Sequence, residues 1–413
     1  MTEPVRHLAL DSLDILTARF GETGQTSLSV FRPRTMLETP DSAGLAALGI
    51  RAMIRGTERF DAAELAFAFE SLGGGLGPSL GADTLGFGTT VLSEHMHEAA
   101  TLLAEVLYQP RFAPAHIEIE RTLLLDDARS VADDMVRFPI QLMLGVAFGD
   151  TGYGSPSLGT DASLASFTVD RVRQWHAAML AGDRTAVVAV GDADPEQLEH
   201  DVARAFTGGG GRHRAASATP ASSRSPARLT PGSRTERRDR KQSAVAMLFP
   251  GPNRRDPDRF AAETWGAIAA GLGGRLFESL RSQRSLAYTV IANSWQRRHA
   301  GGLLTYIATD PARLDEARDA MLEELAIFRR EPPGADELSR ATAMLAGQAE
   351  LSRQTVGGYA REIASAWLLG DGLAELDDPA APYRHVTADA VHAVTARALN
   401  PASRAEGVVA ASE

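Results

Sequence analysis

The chain has 413 residues, more than one ordinary hydrophobic core organises, so we expect two domains of roughly 200 residues each. Hydrophobic residues make up 44% and charged residues 23%, the composition of a packed protein. A formal net charge of -11 opposes nonspecific binding to nucleic acid. Cysteine is absent, which excludes disulfides, thiolate zinc sites and cysteine nucleophiles.

The N-terminal stretch MTEPVRHLALDSLDILTARF contains scattered acidic residues. It has no continuous apolar core of the kind that a signal peptide needs. No later stretch approaches the roughly 20 apolar residues of a membrane span. These patterns predict a soluble, cytoplasmic protein without a membrane partner.

Short apolar strands and longer amphipathic helices follow in chain order. The segment DAAELAFAFESLG predicts a helix that begins after an N-cap at Asp61 and ends near Gly73 and Gly74. The glycine-rich run LGGGLGPSLGADTLGFGTTVL is typical of a hairpin. Apolar runs bounded by turn residues predict further strands at 185–192, 243–251 and 301–310 and in the C-terminal EGVVAAS.

The order of these elements indicates the fold class. Two or more helices follow one another between strands, whereas a parallel sheet is usually built from single crossover helices. We therefore predict an α+β fold, in which helices pack on one face of a mostly antiparallel sheet.

The composition changes sharply near the middle of the chain. Residues 208–240 are rich in Gly, Ser, Pro and Arg and poor in large apolar side chains. Such a segment buries too little surface to offset its ordering entropy, and it predicts an extended linker. The domains are then expected at 1–207 and 241–413.

The two sides of this segment resemble each other. FTVDRVRQWHAAML begins at Phe167 and VTADAVHAVTARAL begins at Val386, an offset of 386 minus 167, or 219 residues. EAATLLAEVL begins at Glu98 and EARDAMLEEL at Glu316, an offset of 316 minus 98, or 218 residues. Two nearly equal offsets indicate a tandem duplication of one unit.

Common catalytic motifs are missing from the sequence. No two of the ten histidines lie three or four residues apart, which excludes a helix-borne pair of histidine zinc ligands. No GxSxG motif or Walker loop is present. The most metal-like cluster is EHMHE, residues 94–98, in which His95 and His97 have the alternating spacing of a strand. A strand-to-helix junction is the simpler interpretation of that cluster.

The stretch GLAALGIRAMIRGT, residues 44–57, resembles the zinc-binding helix of the M16 family of zinc peptidases, the pitrilysin, insulysin and mitochondrial processing peptidase group. That helix typically reads GLAHxLEHMxFxGT. Ala47 and Arg51 stand where the family has its two histidine ligands, and Ile50 stands where it has the general-base glutamate. Asp127 is the nearest equivalent of the third ligand, a glutamate. A guanidinium repels a metal ion, so we expect no zinc in this chain.

A second motif, LFESLRSQRSLAYTV from Leu276 to Val290, resembles the family's LFxxLRExxGLAYxV. The resemblance assigns Arg281 and Tyr288 to an arginine and tyrosine pair that holds the bound peptide and stabilises the oxyanion. A fixed cation and a phenolic donor suit such charge. The run GGGLGPSLGAD resembles the segment that offers an edge strand to the peptide, but Pro78 removes one backbone donor there.

The resemblance, with a degenerate zinc motif and an intact arginine and tyrosine motif, implies a noncatalytic subunit of a heterodimeric zinc metallopeptidase. A zinc-motif homologue would supply the metal, the water and the general base, and this chain alone would be inactive. The expected substrates are oligopeptides, and one specialised role is maturation of a precursor peptide such as that of pyrroloquinoline quinone. Two alternatives stay open: a structural subunit like the core proteins of the cytochrome bc1 complex, and an independent enzyme that uses His95 and His97.

Overall fold

A computed structural model describes residues 4–34, 38–182, 184–208, 227–271 and 273–412. Within these ranges the chain forms two β-sheets. The strands of the first sheet are β1 (Arg6–Leu10), β2 (Leu13–Arg19), β3 (Gln25–Pro33), β4 (Gly77–Leu80), β5 (Thr84–Leu92) and β6 (Thr185–Gly191). The strands of the second sheet are β7 (Gly232–Arg238), β8 (Ser243–Pro250), β9 (Thr289–Gln296), β10 (Gly301–Thr309) and β11 (Ala405–Ala411).

Fourteen α-helices lie in the described ranges. Those of the first half are α1 (Leu45–Met53), α2 (Ala62–Glu70), α3 (Met96–Tyr108), α4 (Pro114–Asp133), α5 (Arg137–Phe148), α6 (Asp161–Ser166), α7 (Val169–Ala181) and α8 (Pro195–Gly208). Those of the second half are α9 (Arg259–Ala270), α10 (Leu314–Arg330), α11 (Ala335–Leu351), α12 (Val356–Leu368), α13 (Ala381–Arg384) and α14 (Ala388–Ala398). Phe277–Gln283 forms a π-helix. Short 3₁₀ turns occur at Pro40–Ser42, Ser93–His95, Gly152–Gly154, Pro311–Arg313, Leu373–Leu376 and Pro401–Ser403.

The two sheets share one strand topology. The first has the order β1-β2-β6-β3-β5-β4 and the second the order β7-β11-β8-β10-β9. In the first sheet only the β2–β6 pair is parallel, and in the second only the β7–β11 pair. The second sheet therefore repeats the first without β1. The predicted α+β class and the tandem repeat of mostly antiparallel sheets are confirmed.

The first sheet is apolar on both faces, as β6 (TAVVAVG) shows, because every residue of that strand is buried. Val187 belongs to a core shared with α1, α3, α7 and α8. Val188 and Val190 point to the opposite face, where they pack with Tyr359 and Ile363 of α12. One helix from late in the chain thus covers the second face of this sheet.

The second sheet follows the same rule. Val245 and Phe249 of β8 lie in a core with α9, α10 and α14. Ala246 and Leu248 point the other way and pack with Met143 of α5. The prediction of helices on one face therefore describes only one layer of each unit, because strands that are apolar at successive residues need cover on both faces.

The chain accordingly divides into two compact units, each built from three segments. The first contains the described residues of Met1–Asp127, Ser157–Ser223 and Leu351–Asp377. The second contains those of Ala128–Pro156, Arg224–Glu350 and Asp378–Glu413. The expected boundary after residue 207 separates the sheets, but α5 and α12 each belong to the unit whose sheet they cover.

The expected linker at 208–240 also differs from the structure. Residues 209–226 lie outside the described residues. Gly232–Arg238 forms β7, which pairs in parallel with β11 although most of its side chains are exposed. Backbone hydrogen bonding to a buried neighbour needs no apolar side chains, so composition alone did not reveal this strand.

Other local predictions are confirmed. Strands occupy the four predicted apolar runs, and β4 pairs with β5 as an antiparallel hairpin. The Asp61 side chain accepts hydrogen bonds from the backbone N–H groups of Ala63 and Glu64, which caps α2. Throughout the described residues, the helices are too short or too polar to cross a membrane.

Gly407 of β11 allows α5 to lie directly on the second sheet. A Cβ atom there would lie 2.1 Å from the Pro139 carbonyl oxygen and 2.4 Å from the Met143 backbone nitrogen. We expect Gly407→Ala to lower the free energy of unfolding by about 1–3 kcal/mol through overpacking. Urea denaturation would measure the change.

Gly145→Ala on α5 is the matched control, because nothing lies within 4 Å of a Cβ atom at Gly145. An alanine in a helix stabilises by about 0.5–1 kcal/mol relative to glycine. If Gly407→Ala is as stable as Gly145→Ala, the close approach of α5 to β11 does not exist.

Candidate functional site

The helix α1 carries the three residues at the degenerate zinc-motif positions. Ala47 and Ile50 are fully buried in the first core. Gly49, between them, packs against Trp175, where a Cβ atom would lie 2.2 Å from the indole ring. The apolar residues have therefore made this side of α1 a core-packing surface, without a metal ligand or a general base.

Arg51 points instead toward α4. Its Nη2 atom donates a hydrogen bond to Asp127 Oδ2 at 2.6 Å, and both side chains are partly exposed. The sequence placed these residues at two of the three ligand positions, and the structure brings them together. A guanidinium has no lone pair for a metal and holds the carboxylate in an ion pair. These residues do not fit a zinc ion.

A second ion pair joins the turn after α1 to α4, and sequence reasoning missed it. Arg55 Nε donates to Glu120 Oε1 at 2.5 Å, and only 2% of the Glu120 surface is exposed. Arg55 lies in the turn that follows α1, four residues after Arg51, and Glu120 and Asp127 are two turns apart on α4. The spacings differ, so no sequence pattern paired these residues.

The cluster at residues 94–98 is a strand-to-helix junction. β5 ends at Leu92 and α3 begins at Met96, so His95 and His97 do not share a strand. His97 Nδ1 lies 3.6 Å from Asp201. No described group of three or more His, Asp or Glu side chains is arranged to hold a metal ion.

The segment with Arg281 and Tyr288 belongs to the second unit. Arg281 lies in the π-helix Phe277–Gln283, and its guanidinium carbon lies 4.9 Å from the centroid of the Phe277 ring. Tyr288 directly precedes β9 and is 54% exposed. Its backbone N–H donates to the Ala308 carbonyl at 2.9 Å. A π-helical turn of this kind is frequent at functional sites.

Acidic residues of α10 hold this segment in place. Ser279 Oγ donates to Glu324 Oε1 at 2.6 Å. Arg284 donates to Glu323 at 2.9 Å and to Glu324 at 3.4 Å. Glu324 is buried, so its carboxylate is committed to these partners. The contacts fix the backbone between the π-helix and β9.

Arg275 fixes the beginning of the same segment. Its Nε and Nη2 atoms donate to the two carboxylate oxygens of Glu337, both at 2.6 Å. These hydrogen bonds lower the pKa of Glu337 below its ordinary value. The guanidinium also lies over the Phe328 ring, 4.8 Å from its centroid.

Arg281 differs from its neighbours. Among the described residues, no carboxylate pairs with Arg281, and no hydrogen bond joins it to Tyr288. Its guanidinium and the Tyr288 phenol are exposed donors on a fixed backbone. Both are chemically suited to bind carbonyl oxygens or an oxyanion from another molecule.

Family models match two parts of the chain. Residues 35–161 match the model described as Insulinase (Peptidase family M16), and residues 166–345 match the model described as Peptidase M16 inactive domain. An uncharacterized zinc protease of Streptomyces coelicolor is 26% identical over 361 residues, which cover 86% of this chain and 78% of that protein. One of Mycobacterium leprae is 27% identical over 290 residues, which cover 69% and 64% of the two chains.

Solved structures with the same fold have lower sequence identity. A peptidase M16 inactive domain from Pseudomonas fluorescens has a TM-score of 0.87 at 19% identity and covers 99% of this chain and 98% of that chain. A chain of Complex III2 from Candida albicans has a TM-score of 0.79 at 15% identity, with coverage of 98% and 96%. These likenesses establish the fold.

The ion pairs that Arg51 and Arg55 make with α4 should differ in their contribution to stability. Arg55→Met leaves the buried Glu120 carboxylate without its partner, and we expect a loss of about 1–3 kcal/mol in the free energy of unfolding. Arg51→Met leaves the half-exposed Asp127, for which the expected loss is about 0–1 kcal/mol. Urea denaturation would compare the variants, and an equal or larger loss for Arg51→Met would contradict this assignment.

The Arg275–Glu337 pair predicts a pH dependence. The pKa of Glu337 is lowered in the folded state from its ordinary value of 4.5. The ionised carboxylate therefore stabilises the fold at pH values above this unfolded pKa, and the stabilisation is lost as the pH falls through the folded pKa. We expect Glu337→Gln to cost about 1 kcal/mol at neutral pH. The difference from wild type should shrink below that unfolded pKa. Thermal unfolding across pH measures it.

Glu350→Gln on α11 is the control for that series, because Glu350 is exposed. We expect its stability to follow wild type throughout the pH range. A gap between wild type and Glu337→Gln that stays constant into acid would show that the carboxylate charge is not the cause.

Proposed function

Because this chain belongs to the M16 peptidase family, we propose that it is the noncatalytic subunit of a two-chain zinc peptidase. A homologue with an intact zinc motif is the proposed partner, and peptides are the proposed substrate. The observation that supports this role best is the exposed pair of donors Arg281 and Tyr288 on a segment held by α10. This chain by itself would not hydrolyse peptides.

The chemistry of the pair follows from its charge and position. A guanidinium donates two parallel hydrogen bonds and keeps its charge at any working pH. A phenol adds a neutral donor. Both would hold carbonyl oxygens of the peptide and would bind more strongly as negative charge develops during attack on the scissile carbonyl. Holding the backbone through Glu323 and Glu324 reduces the reorganisation that this step requires.

The zinc would reside in the partner, where it would polarise the scissile carbonyl and activate water. The contact between Arg51 and Asp127 supports this division of labour, because a residue that cannot release its positive charge stands at a ligand position. A cytoplasmic location is part of the proposal. A narrower form assigns the complex to maturation of a ribosomally made precursor peptide, such as that of pyrroloquinoline quinone.

The alternative is a structural subunit without a catalytic contribution. The loss of the zinc-motif residues and the likeness to a chain of Complex III2 favour this role. An exposed arginine and tyrosine at the matching motif positions argue against it, because a scaffold has no need of unpaired donors there.

Peptide hydrolysis by this chain mixed with the zinc-motif homologue from its own genome tests the proposal. We expect neither chain alone to cleave a quenched fluorescent oligopeptide and the mixture to cleave it. Arg281→Ala and Tyr288→Phe should each lower kcat about 100-fold, the usual effect of removing one oxyanion donor. Size-exclusion chromatography with light scattering would check that the pair stays associated.

Arg330→Ala at the exposed end of α10 is the control for loss of a surface cation, and it should retain wild-type turnover. Full activity of the homologue alone, or wild-type turnover with both Arg281→Ala and Tyr288→Phe, would favour the structural role instead.

A further inference from the structure

Ser285 has a backbone conformation that residues other than glycine rarely adopt. Its φ angle is +50°, in the left-handed region, where a Cβ atom crowds the following carbonyl oxygen. The motif LFxxLRExxGLAYxV has glycine at this position, and glycine adopts a positive φ without strain. A serine in this conformation is strained, and a strained residue persists only where its surroundings hold it.

The turn at Ser285 joins the π-helix to the residues that precede β9. The backbone N–H of Leu286 donates to the Leu280 carbonyl at 2.8 Å, and a left-handed residue commonly ends a helix with such a bond. Leu286 is buried in the core shared with α9 and α10. The conformation of Ser285 therefore sets the path on which the chain reaches Tyr288, three residues later.

The side chain of Arg313 holds this turn. Its Nη1 atom donates to the Ser285 carbonyl at 2.9 Å, and its Nη2 atom donates to the Arg284 carbonyl at 3.5 Å. The Nε and Nη2 atoms also donate to the two carboxylate oxygens of Glu316, at 2.9 and 3.0 Å. Bidentate pairing with Glu316 fixes the plane of the guanidinium, so its remaining donors are aimed at the strained turn.

The backbone of Arg313 is anchored beside the strand that holds Tyr288. The N–H of Arg313 donates to the Asp310 carbonyl at 3.0 Å, and the Asp310 side chain caps the turn Pro311–Arg313. Asp310 directly follows β10. The Tyr288 N–H donates to the Ala308 carbonyl near the same end of β10, at 2.9 Å. Arg313 and Tyr288 are thus attached to one end of one strand, and the guanidinium bridges from there to the turn.

We propose that Arg313 is a positioning residue for Tyr288. It keeps Ser285 in the left-handed conformation, and the turn then fixes where the Tyr288 phenol lies. Arg313 itself would not touch the peptide. The inference rests on the proposed function, in which the phenol donates to the substrate. A donor that is already in place needs no reorganisation during the reaction, whereas a displacement of about 1 Å costs up to about 100-fold in rate.

Fluorine NMR of the full chain labelled with 3-fluorotyrosine tests the positioning without a partner subunit. The chain has six tyrosines, and the signal that Tyr288→Phe removes belongs to Tyr288. We expect Arg313→Met to shift or broaden that signal and to leave the remaining signals unchanged. Arg318→Met is the matched control on α10, because Arg318 pairs with Asp315 at 3.2 Å, and it should give the wild-type spectrum. Thermal unfolding checks that each variant folds.

Ser285→Gly provides a rescue that a general loss of stability would not show. Glycine adopts a positive φ without strain, so the turn should persist without the guanidinium. We expect Arg313→Met combined with Ser285→Gly to restore the wild-type signal of Tyr288. A wild-type signal in Arg313→Met alone, or a displaced signal that Ser285→Gly does not restore, would overturn the proposal.

Peptide hydrolysis by the mixture with the zinc-motif homologue connects this position to catalysis. We expect Arg313→Met to lower kcat about tenfold with KM nearly unchanged, a smaller loss than removal of the phenolic donor itself. In the Tyr288→Phe background the same substitution should cost nothing further, because the donor that it positions is gone. An equal loss in that background would contradict the role of Arg313.

The two sets of measurements separate this inference from the proposed function. Turnover that is insensitive to Tyr288→Phe, with a Tyr288 signal that Arg313→Met displaces and Ser285→Gly restores, would reject only the proposed function. Turnover that falls with Tyr288→Phe, with an unchanged signal in Arg313→Met, would reject only the role of Arg313.

Discussion

The fold depends on the requirement that sheets with two apolar faces be covered on both. Val187 and Val188 are adjacent in β6 and enter different cores, so one layer of helices is not enough for this sheet. The helix α12 covers the second face of the first sheet, and α5 covers the second face of the second sheet. Each compact unit thus contains a segment from beyond its own sheet in the sequence. Neither repeat can complete its core from a continuous piece of chain.

The need for buried apolar cover also bears on the degenerate motif positions of α1. The positions of the degenerate motif on α1 face the core or a salt bridge: Ala47 and Ile50 are buried, and Arg51 is neutralised by Asp127. A zinc site needs polar ligands at these positions together with hydrogen bonds that orient them. Apolar residues gain burial energy there, and the ion pair satisfies the remaining carboxylate. In this chain these three positions of α1 therefore serve packing and an ion pair.

Sequence patterns predicted the elements whose signal is local. The apolar runs became strands, and Asp61 caps α2, because period and capping chemistry act over a few residues. The sequence did not predict which sheet α5 or α12 covers, because an amphipathic pattern does not identify the surface against which a helix packs. The contact of Arg55 with Glu120 joins residues 65 positions apart. The sequence did not predict β7, because its backbone pairs with β11 while most of its side chains are exposed.

Arg281 differs from the other arginines around its segment in the second unit. Three arginines around this segment, Arg275, Arg284 and Arg313, each pair with a glutamate, whereas no described carboxylate pairs with Arg281. Water satisfies such donors in the isolated chain at little cost. An extended peptide offers a carbonyl oxygen at every residue, and a guanidinium without a carboxylate partner can hold such oxygens by hydrogen bonds.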